Sequence, residues 1–326
     1  MGQEVTAMEM PAVLRQLLED LTTGLKQNAV KKNAEHLSFR YRTETKCGQK
    51  LIDGQGDSVA YAASRMPATF GALSLVLEQV ASLPDFLPET MIDIGAGTGS
   101  AVWAASSLFD LQKITCLERS PEMRAVGKKL TENAKDFFPA LPVWQDFDLT
   151  QSSLPQADLI TAGYVLNELS ELERPKALLK LWQAAQSVLV LVEPATPESF
   201  RQVKNYRKIL IENGAFIAAP CPHQNDCSNE WCHFGSRIAR SKLHRIVKSG
   251  DAPYEDEKFC YLIATRQKYV ASTPRILRRP AIGTGKVTLS LCTTEGITEK
   301  TFSKKDGAAY KAARKAKWAD AFIPKA

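Results

Sequence analysis

From Met91 onward, short apolar runs alternate with stretches of helix length. MIDIG, ITCLE, LPVWQ, ADLITAGYV and SVLVLVEP are each the size of a strand. Runs of this kind mark a parallel sheet, because crossover helices cover both of its faces and leave no need for polar alternation. Before Met91 the period is helical. In PAVLRQLLEDLTTGLK, Leu14, Leu17, Leu18 and Leu21 fall on one stripe, and the chain up to residue 86 reads as mostly helical, with a helix over 69–83. After Glu193 the pattern predicts a helix over 200–213, a polar Cys/His segment over 221–233 and a basic helix over 237–248. Strands over 258–265 and 286–292 follow, then a helical Lys/Arg/Ala-rich tail over 303–320. The expected organisation is α/β in four regions: helices over 1–86, a nucleoside-binding core over 87–214, a Cys/His insertion with its basic helix over 215–250, and final strands with a basic tail over 251–326.

Composition narrows the class. A chain of 326 residues that is 44% hydrophobic can bury a full core, which excludes a disordered polypeptide. No window reaches the roughly 18 uninterrupted apolar residues needed to cross a bilayer. The opening MGQEV lacks the order of a secretion signal or transit peptide. A cytoplasmic protein without a membrane partner is expected; its oligomeric state is not encoded in any motif, and a monomer is the default.

Charge is divided unevenly. Residues 201–326 hold 24 Lys+Arg against 11 Asp+Glu, a net of +13, while residues 1–200 hold 18 against 25, a net of −7. Three of the four histidines and five of the seven cysteines also lie beyond position 200. A basic, Cys-rich half points to a polyanionic partner, with a solvated basic face as the bland alternative.

Asp93-Ile94-Gly95-Ala96-Gly97-Thr98-Gly99 follows one strand and enters a helix. Residues without Cβ allow tight turns and let a ligand lie against backbone, and the helix start offers unpaired N–H groups to an anionic group. Glu118 ends the next strand, 19 residues after Gly99, where a carboxylate can accept from both ribose hydroxyls. Strand, turn, helix, strand and acid in that order indicate a nucleoside site. A dinucleotide is disfavoured because Ser100 stands where G-x-G-x-x-G needs its third glycine, and no G-K-[ST] phosphate loop is present.

DIGAGTG followed by LERSPEM resembles the class I, Rossmann-like S-adenosylmethionine-dependent methyltransferases. The resemblance implies that Asp93 lies near the methionine amino group, that Gly95, Ala96, Gly97 and Gly99 pass beside the cofactor, and that Glu118 holds the ribose. By the same analogy Asp146 or Asp148 sits near adenine. Gly163, Tyr164 and Asn167 mark the end of the fourth strand, where acceptor and methyl group meet. Turn or cap roles compete for Asp146, Asp148 and Asn167, and a core role for Tyr164. The N-P-P-Y signature of amide and adenine N-methyltransferases is absent, so no catalytic base is identified beyond the neighbourhood of Tyr164 and Asn167.

Cys221, Cys227 and Cys232 bring three thiols within twelve residues, around the polar run 223–230 and alongside His223 and His233. That pattern points to a metal or cluster site, although C-x5-C-x4-C is not the paired spacing of a zinc ribbon. The fourth ligand is open among Cys260, Cys292, His223 and His233. Cys47 and Cys116 carry no expected role.

Together with Tyr61, RMPAT (65–69), APCPH, WCHF, LCTTEG and YKAARK before Trp318, the pattern resembles the methyltransferase-like proteins of the small ribosomal subunit, a family with bacterial and mitochondrial members. The match runs from about residue 55 to the C-terminus. The resemblance implies a role in small-subunit assembly and, from the mitochondrial members, a 4Fe–4S cluster on Cys221, Cys227, Cys232 and Cys292, with zinc as the chemical alternative. Arg237, Arg240, His244 and Lys248 are expected on one face of the basic helix, some screening that centre. Arg275, Arg278, Arg279, Lys286, Lys304, Lys305, Lys311, Arg314, Lys315 and Lys317, with Tyr310 and Trp318 among them, suggest contact with rRNA phosphates and bases. Two functions compete: an rRNA-directed methyltransferase, and an assembly factor that uses the same fold as a binding scaffold.

Overall fold

A computed structural model describes residues 7–43, 52–228, 231–269 and 273–323. The chain forms two compact units, one of Met1–Val192 with Ser236–Glu257, the other of Glu193–Gly235 with Lys258–Ala326. The first unit carries 23 Lys+Arg and 27 Asp+Glu, a net of −4; the second carries 19 and 9, a net of +10. The positive charge therefore belongs to the unit that also holds the cysteine-rich segment.

The first unit begins with four helices: α1 (Ala12–Thr22), α2 (Gln27–Thr43), α3 (Gln55–Ser64) and α4 (Met66–Ala81). The sheet then alternates with helices: β1 (Thr90–Ile94), α5 (Ser100–Ser106), β2 (Lys113–Leu117), α6 (Pro121–Glu132), β3 (Val143–Gln145), β4 (Ala157–Gly163), α7 (Arg174–Ala184) and β5 (Ala185–Pro194). Strand order is β3-β2-β1-β4-β5, parallel throughout, with Ile92 opposite Thr115 on one side and Ile160 on the other. The five apolar runs read from the sequence are these five strands.

Local chemistry sets the helix starts. The Ser120 hydroxyl accepts from the Met123 N–H at 3.2 Å, with Pro121 at the first helical position of α6. Helix α4 is buried along most of its length, as an apolar helix without a polar face must be. Val30, Ala34 and Leu37 of α2 pack with Ala60 and Ala63 of α3 and with Met123 of α6, so the N-terminal helices share a core with the helix that follows β2.

The chain continues through α8 (Pro197–Glu212), β6 (Phe216–Ala219), β7 (Phe234–Ala239), α9 (Lys242–Lys248) and β8 (Tyr254–Thr265). The expected basic helix over 237–248 is corrected here. Its first part is strand β7, in which Phe234, Ser236 and Ile238 are buried and their neighbours are half-buried. The period of two overrides the helical spacing of the charges, and Ser241 starts a shorter α9 by accepting from the His244 N–H.

In the second unit β6 pairs antiparallel with β8, Ile217 opposite Ala264. A separate antiparallel sheet consists of β9 (Arg275–Ile276), β10 (Ala281–Gly283), β11 (Lys286–Thr293) and β12 (Gly296–Ser303), ordered β10-β11-β12 with β9 on β11. Helix α10 (Gly307–Lys315) closes it, burying Tyr310 and Ala313 against Val287, Leu289 and Phe302. Tyr310 is thus a core residue, not a free stacking platform. Arg275 is also buried, at 8% exposure, whereas Arg278, Arg279, Lys286, Lys304, Lys305, Lys311, Arg314, Lys315 and Lys317 reach the surface. Among the described residues no helix is long and apolar enough to cross a membrane.

Candidate functional site

In the first unit the strand order reverses between β1 and β4, and a parallel sheet opens a crevice at such a point, outside the carboxyl ends of its strands. Gly95, Ala96, Gly97 and Gly99 leave β1 here, and Gly163, Tyr164 and Asn167 leave β4. The Ala96 N–H donates to the Leu117 carbonyl at 3.1 Å and the Gly99 N–H to the Ala96 carbonyl at 2.7 Å, which folds the turn back on β2. Gly95 has φ +61°, and a Cβ there would stand 2.4 Å from the Val165 side chain. Only glycine satisfies both conditions.

Glu118 binds the turn directly. Its Oε2 accepts from the Gly97 N–H at 2.9 Å and its Oε1 from the Ser120 N–H at 2.7 Å. Each oxygen keeps a lone pair for a further donor. Burial raises the Glu118 pKa, against the pull of those two N–H groups. Asp93 is 3% exposed and accepts from the Thr161 hydroxyl at 2.7 Å across the β1–β4 pair. Burial, opposed by that hydrogen bond and assisted by the charge of Glu118, lifts the Asp93 pKa to about 7. Glu168, in a 3-10 turn after β4, also rises to about 7, through burial and then Glu118.

The remaining candidates divide. Tyr164 holds a left-handed backbone at φ +62°, and its hydroxyl donates to Glu257 Oε1 at 3.1 Å; Arg65 lies 3.6 Å from the same carboxylate. Asn167 does not cap a helix: its side-chain oxygen is buried without a hydrogen-bond partner among the described residues. Asp146 pairs with Arg124 at 2.8 Å and stays largely exposed. Asp148 is engaged by its own turn, accepting from the Thr150 N–H at 2.8 Å and hydroxyl at 2.6 Å, and these bonds lower its pKa.

Sequence reasoning missed Glu257 and Trp144. Glu257 lies in the polar run YEDEK, which carries no signal of its own. Trp144 packs its ring against Gly127 of α6, where a Cβ would stand 2.1 Å away, and against Gly99. A glycine inside a helical pattern marks such a close approach and was the available clue.

In the second unit, five thiols line one cleft of about 620 Å³, partly open to solvent: Cys221, Cys227, Cys232, Cys260 and Cys292. The loop is tied to β6 by Gln224, whose amide accepts from the Ile217 N–H at 2.9 Å and donates to the Ile217 carbonyl at 2.8 Å. Cys260 is buried in β8 and its thiol donates to the Cys232 carbonyl at 3.1 Å, while the other four are half-buried. Among the described residues no three His, Cys, Asp or Glu side chains stand as a ready-made metal-binding group. Burial, and then the surrounding thiols, push Cys232 well above the usual thiol range; burial with Cys221 and Cys227 brings Cys292 to about 12, against Arg207 and Arg275. His223 Nε2 lies 3.7 Å from Cys292 Sγ. His233 is stacked on Trp231, with ring centroids 4.2 Å apart, and meets the edge of Trp318 at 5.2 Å. Cys116 is buried in β2, and Cys47 lies outside the described residues.

The four cations expected on one helix face are engaged by carboxylates of their own unit. Arg237 forms paired hydrogen bonds with Asp256, at 2.6 and 2.7 Å, and Arg240, His244 and Lys248 converge on Glu255 at 3.6, 2.8 and 2.5 Å, all within the first unit.

Among known proteins, this chain is 28% identical over 301 residues to the human "Ribosome assembly protein METTL17, mitochondrial", covering 83% of this chain and 64% of that protein's length. Among solved structures it resembles magnesium protoporphyrin IX methyltransferase from Synechocystis PCC 6803 with bound SAM, at TM-score 0.42 and 17% identity, covering 75% of this chain and 99% of the other. It also resembles N-methyltransferase NodS from Bradyrhizobium japonicum, at TM-score 0.40 and 13% identity, covering 60% and 86%. Residues 55–323 match the family described as mitochondrial small ribosomal subunit Rsm22, and the chain belongs to that family.

Proposed function

We propose that this protein binds S-adenosylmethionine in the β1–β4 crevice and acts on the small ribosomal subunit during its assembly, as a methyltransferase directed at ribosomal RNA. The observation that carries the reading is the glycine turn held by Glu118 at the point where strand order reverses. The cofactor, when bound, supplies a methyl group activated by a positive sulfur. Gly95 and Gly97 would offer it bare backbone, Asp93 would receive its amino group, and the free lone pairs of Glu118 would accept the ribose hydroxyls. Asp146, with Arg124, would border the adenine. Gly163, Tyr164 and Asn167 would face the acceptor, and catalysis would rest on positioning it in line with the methyl group.

The ribosomal part draws on the family, on the human relative and on the +10 charge of the second unit. Exposed Arg278, Arg279, Lys311 and Arg314 would contact rRNA phosphates, giving affinity without base-specific readout. In that unit Cys221, Cys227, Cys232 and Cys292 would hold a 4Fe–4S cluster or a zinc ion. The donor chemistry fits: four half-buried thiols on one cleft, with Cys260 committed to a backbone carbonyl. Its role would be structural, ordering the cationic unit.

The scaffold reading has its own support. Tyr164 at the acceptor end of β4 is already engaged by Glu257, which Arg65 also pairs. One experiment separates the two: immature small subunits are incubated with the protein and S-adenosylmethionine carrying a labelled methyl group. Label in rRNA establishes the enzyme. Unlabelled rRNA, with assembly still impaired by Gly97→Arg, establishes the scaffold.

A further inference from the structure

Arg207 carries a charge where a fold ordinarily excludes one. It lies in α8 at 5% exposure and forms part of the wall of the thiol cleft. One guanidinium nitrogen donates to the His223 carbonyl at 2.8 Å. Its Nε has no hydrogen-bond partner, and no carboxylate pairs with it among the described residues. Arg275 lies nearby in β9, donating to the carbonyls of Pro220 at 3.3 Å and Ala319 at 2.8 Å. Arg207 shares the cleft wall with Cys221, Cys227, Cys232 and Cys292.

Uncompensated buried charge is strongly destabilising, and neutral carbonyls offset only part of its lost hydration. The arrangement is reasonable only if the opposing groups become negative. When four thiols bind a divalent ion, each releases one proton, and the four thiolates exceed the metal charge by two. The Arg207 guanidinium in the cleft wall offsets part of that excess.

We propose that Arg207 is a positioning residue that makes the cleft a receptor for a net-negative thiolate centre. It neutralises the charge that Cys221 and its neighbours acquire on loading. This rests on the thiolate-centre reading above and adds to it a definite electrostatic signature. Removing Arg207 relieves the empty protein and weakens the loaded one.

The test uses the full chain as wild type, Arg207→Met and Arg207→Lys, each measured empty and after loading with zinc. Empty Arg207→Met is expected to melt at or above the wild-type temperature, yet to lose zinc to a chelator about tenfold faster. Arg207→Lys, which keeps the charge, should recover most of the retention. If empty Arg207→Met melts lower or fails to fold, and any folded protein holds zinc as long as wild type, the guanidinium serves only its bond to His223 and the proposal is overturned. Wild type that takes up neither zinc nor, anaerobically, iron with sulfide overturns the thiolate-centre reading itself, an outcome visible without any variant.

Discussion

Glu118 accepts a hydrogen bond from the Gly97 N–H at 2.9 Å, so the acid at the end of β2 holds the glycine turn as well as facing the crevice. Its other oxygen holds Ser120, the N-cap of α6. One carboxylate thus ties together the turn, the second strand and the following helix.

Replacing Glu118 by Ala should therefore harm more than ligand affinity. Two half-buried N–H groups lose their acceptor, at a cost of at most about 1–3 kcal/mol each. Thermal melting should fall even without ligand, and calorimetry should show S-adenosylmethionine binding weakened at least tenfold. Glu118→Gln keeps an acceptor oxygen and should melt closer to wild type.

Gly95→Ala tests the close approach. The new Cβ meets Val165 at a backbone angle that disfavours side chains, so a loss of about 1–3 kcal/mol is expected in denaturant unfolding. Pairing it with Val165→Ala should recover part of that stability by removing the clash, though the backbone strain remains.

The pH dependence has a definite sign. Asp93 and Glu168 have folded pKa values near 7, above their unfolded values, because burial disfavours their charged forms. Their contribution to stability is fully present below about pH 4 and is lost as pH rises through 7. The ligand-free protein should melt roughly 5 °C lower at pH 8 than at pH 6. A cationic ligand reverses the effect, so S-adenosylmethionine should raise the melting temperature more at pH 8 than at pH 6. Equal shifts at the two pH values would count against Asp93 facing the amino group.

Glu255 is the hub of the first unit's cationic helix. Burial works to raise its pKa, but the His244 hydrogen bond and the Lys248 charge bring it down to about 2. Glu255→Gln strands three cationic or hydrogen-bonding partners and should cost about 3 kcal/mol. Metal content per chain should stay unchanged, because none of these residues lines the thiol cleft.

Lys311, Arg314 and Lys315 project from α10 while Tyr310 and Ala313 hold it to its sheet. Changing the three to Gln should leave melting within about 1 kcal/mol of wild type. The slope of rRNA affinity against salt should flatten by about 0.7–0.9 for each phosphate no longer neutralised. An unchanged slope would place the RNA-binding surface elsewhere.

The five strands of the first sheet and the glycine turn between β1 and α5 were legible because they depend on local order. A strand buried on both faces must be apolar throughout, and a backbone that turns sharply beside a ligand must lack side chains. The cysteines announced themselves by thiol chemistry in a polar run. Strand β12 was not legible, since residues 297–301 are exposed and show no alternation. The helical spacing of Arg237, Arg240, His244 and Lys248 misled because charge spacing is local, whereas strand pairing and the pull of Glu255 and Asp256 come from distant chain. Tertiary structure alone decided that Tyr310 is core, that Glu257 meets Tyr164, and that Arg207 stands in the wall of the thiol cleft. Sequence order carries what neighbouring residues impose on one another. Which buried charge faces which buried thiol depends on segments separated by tens of residues, and only the folded chain brings them within reach.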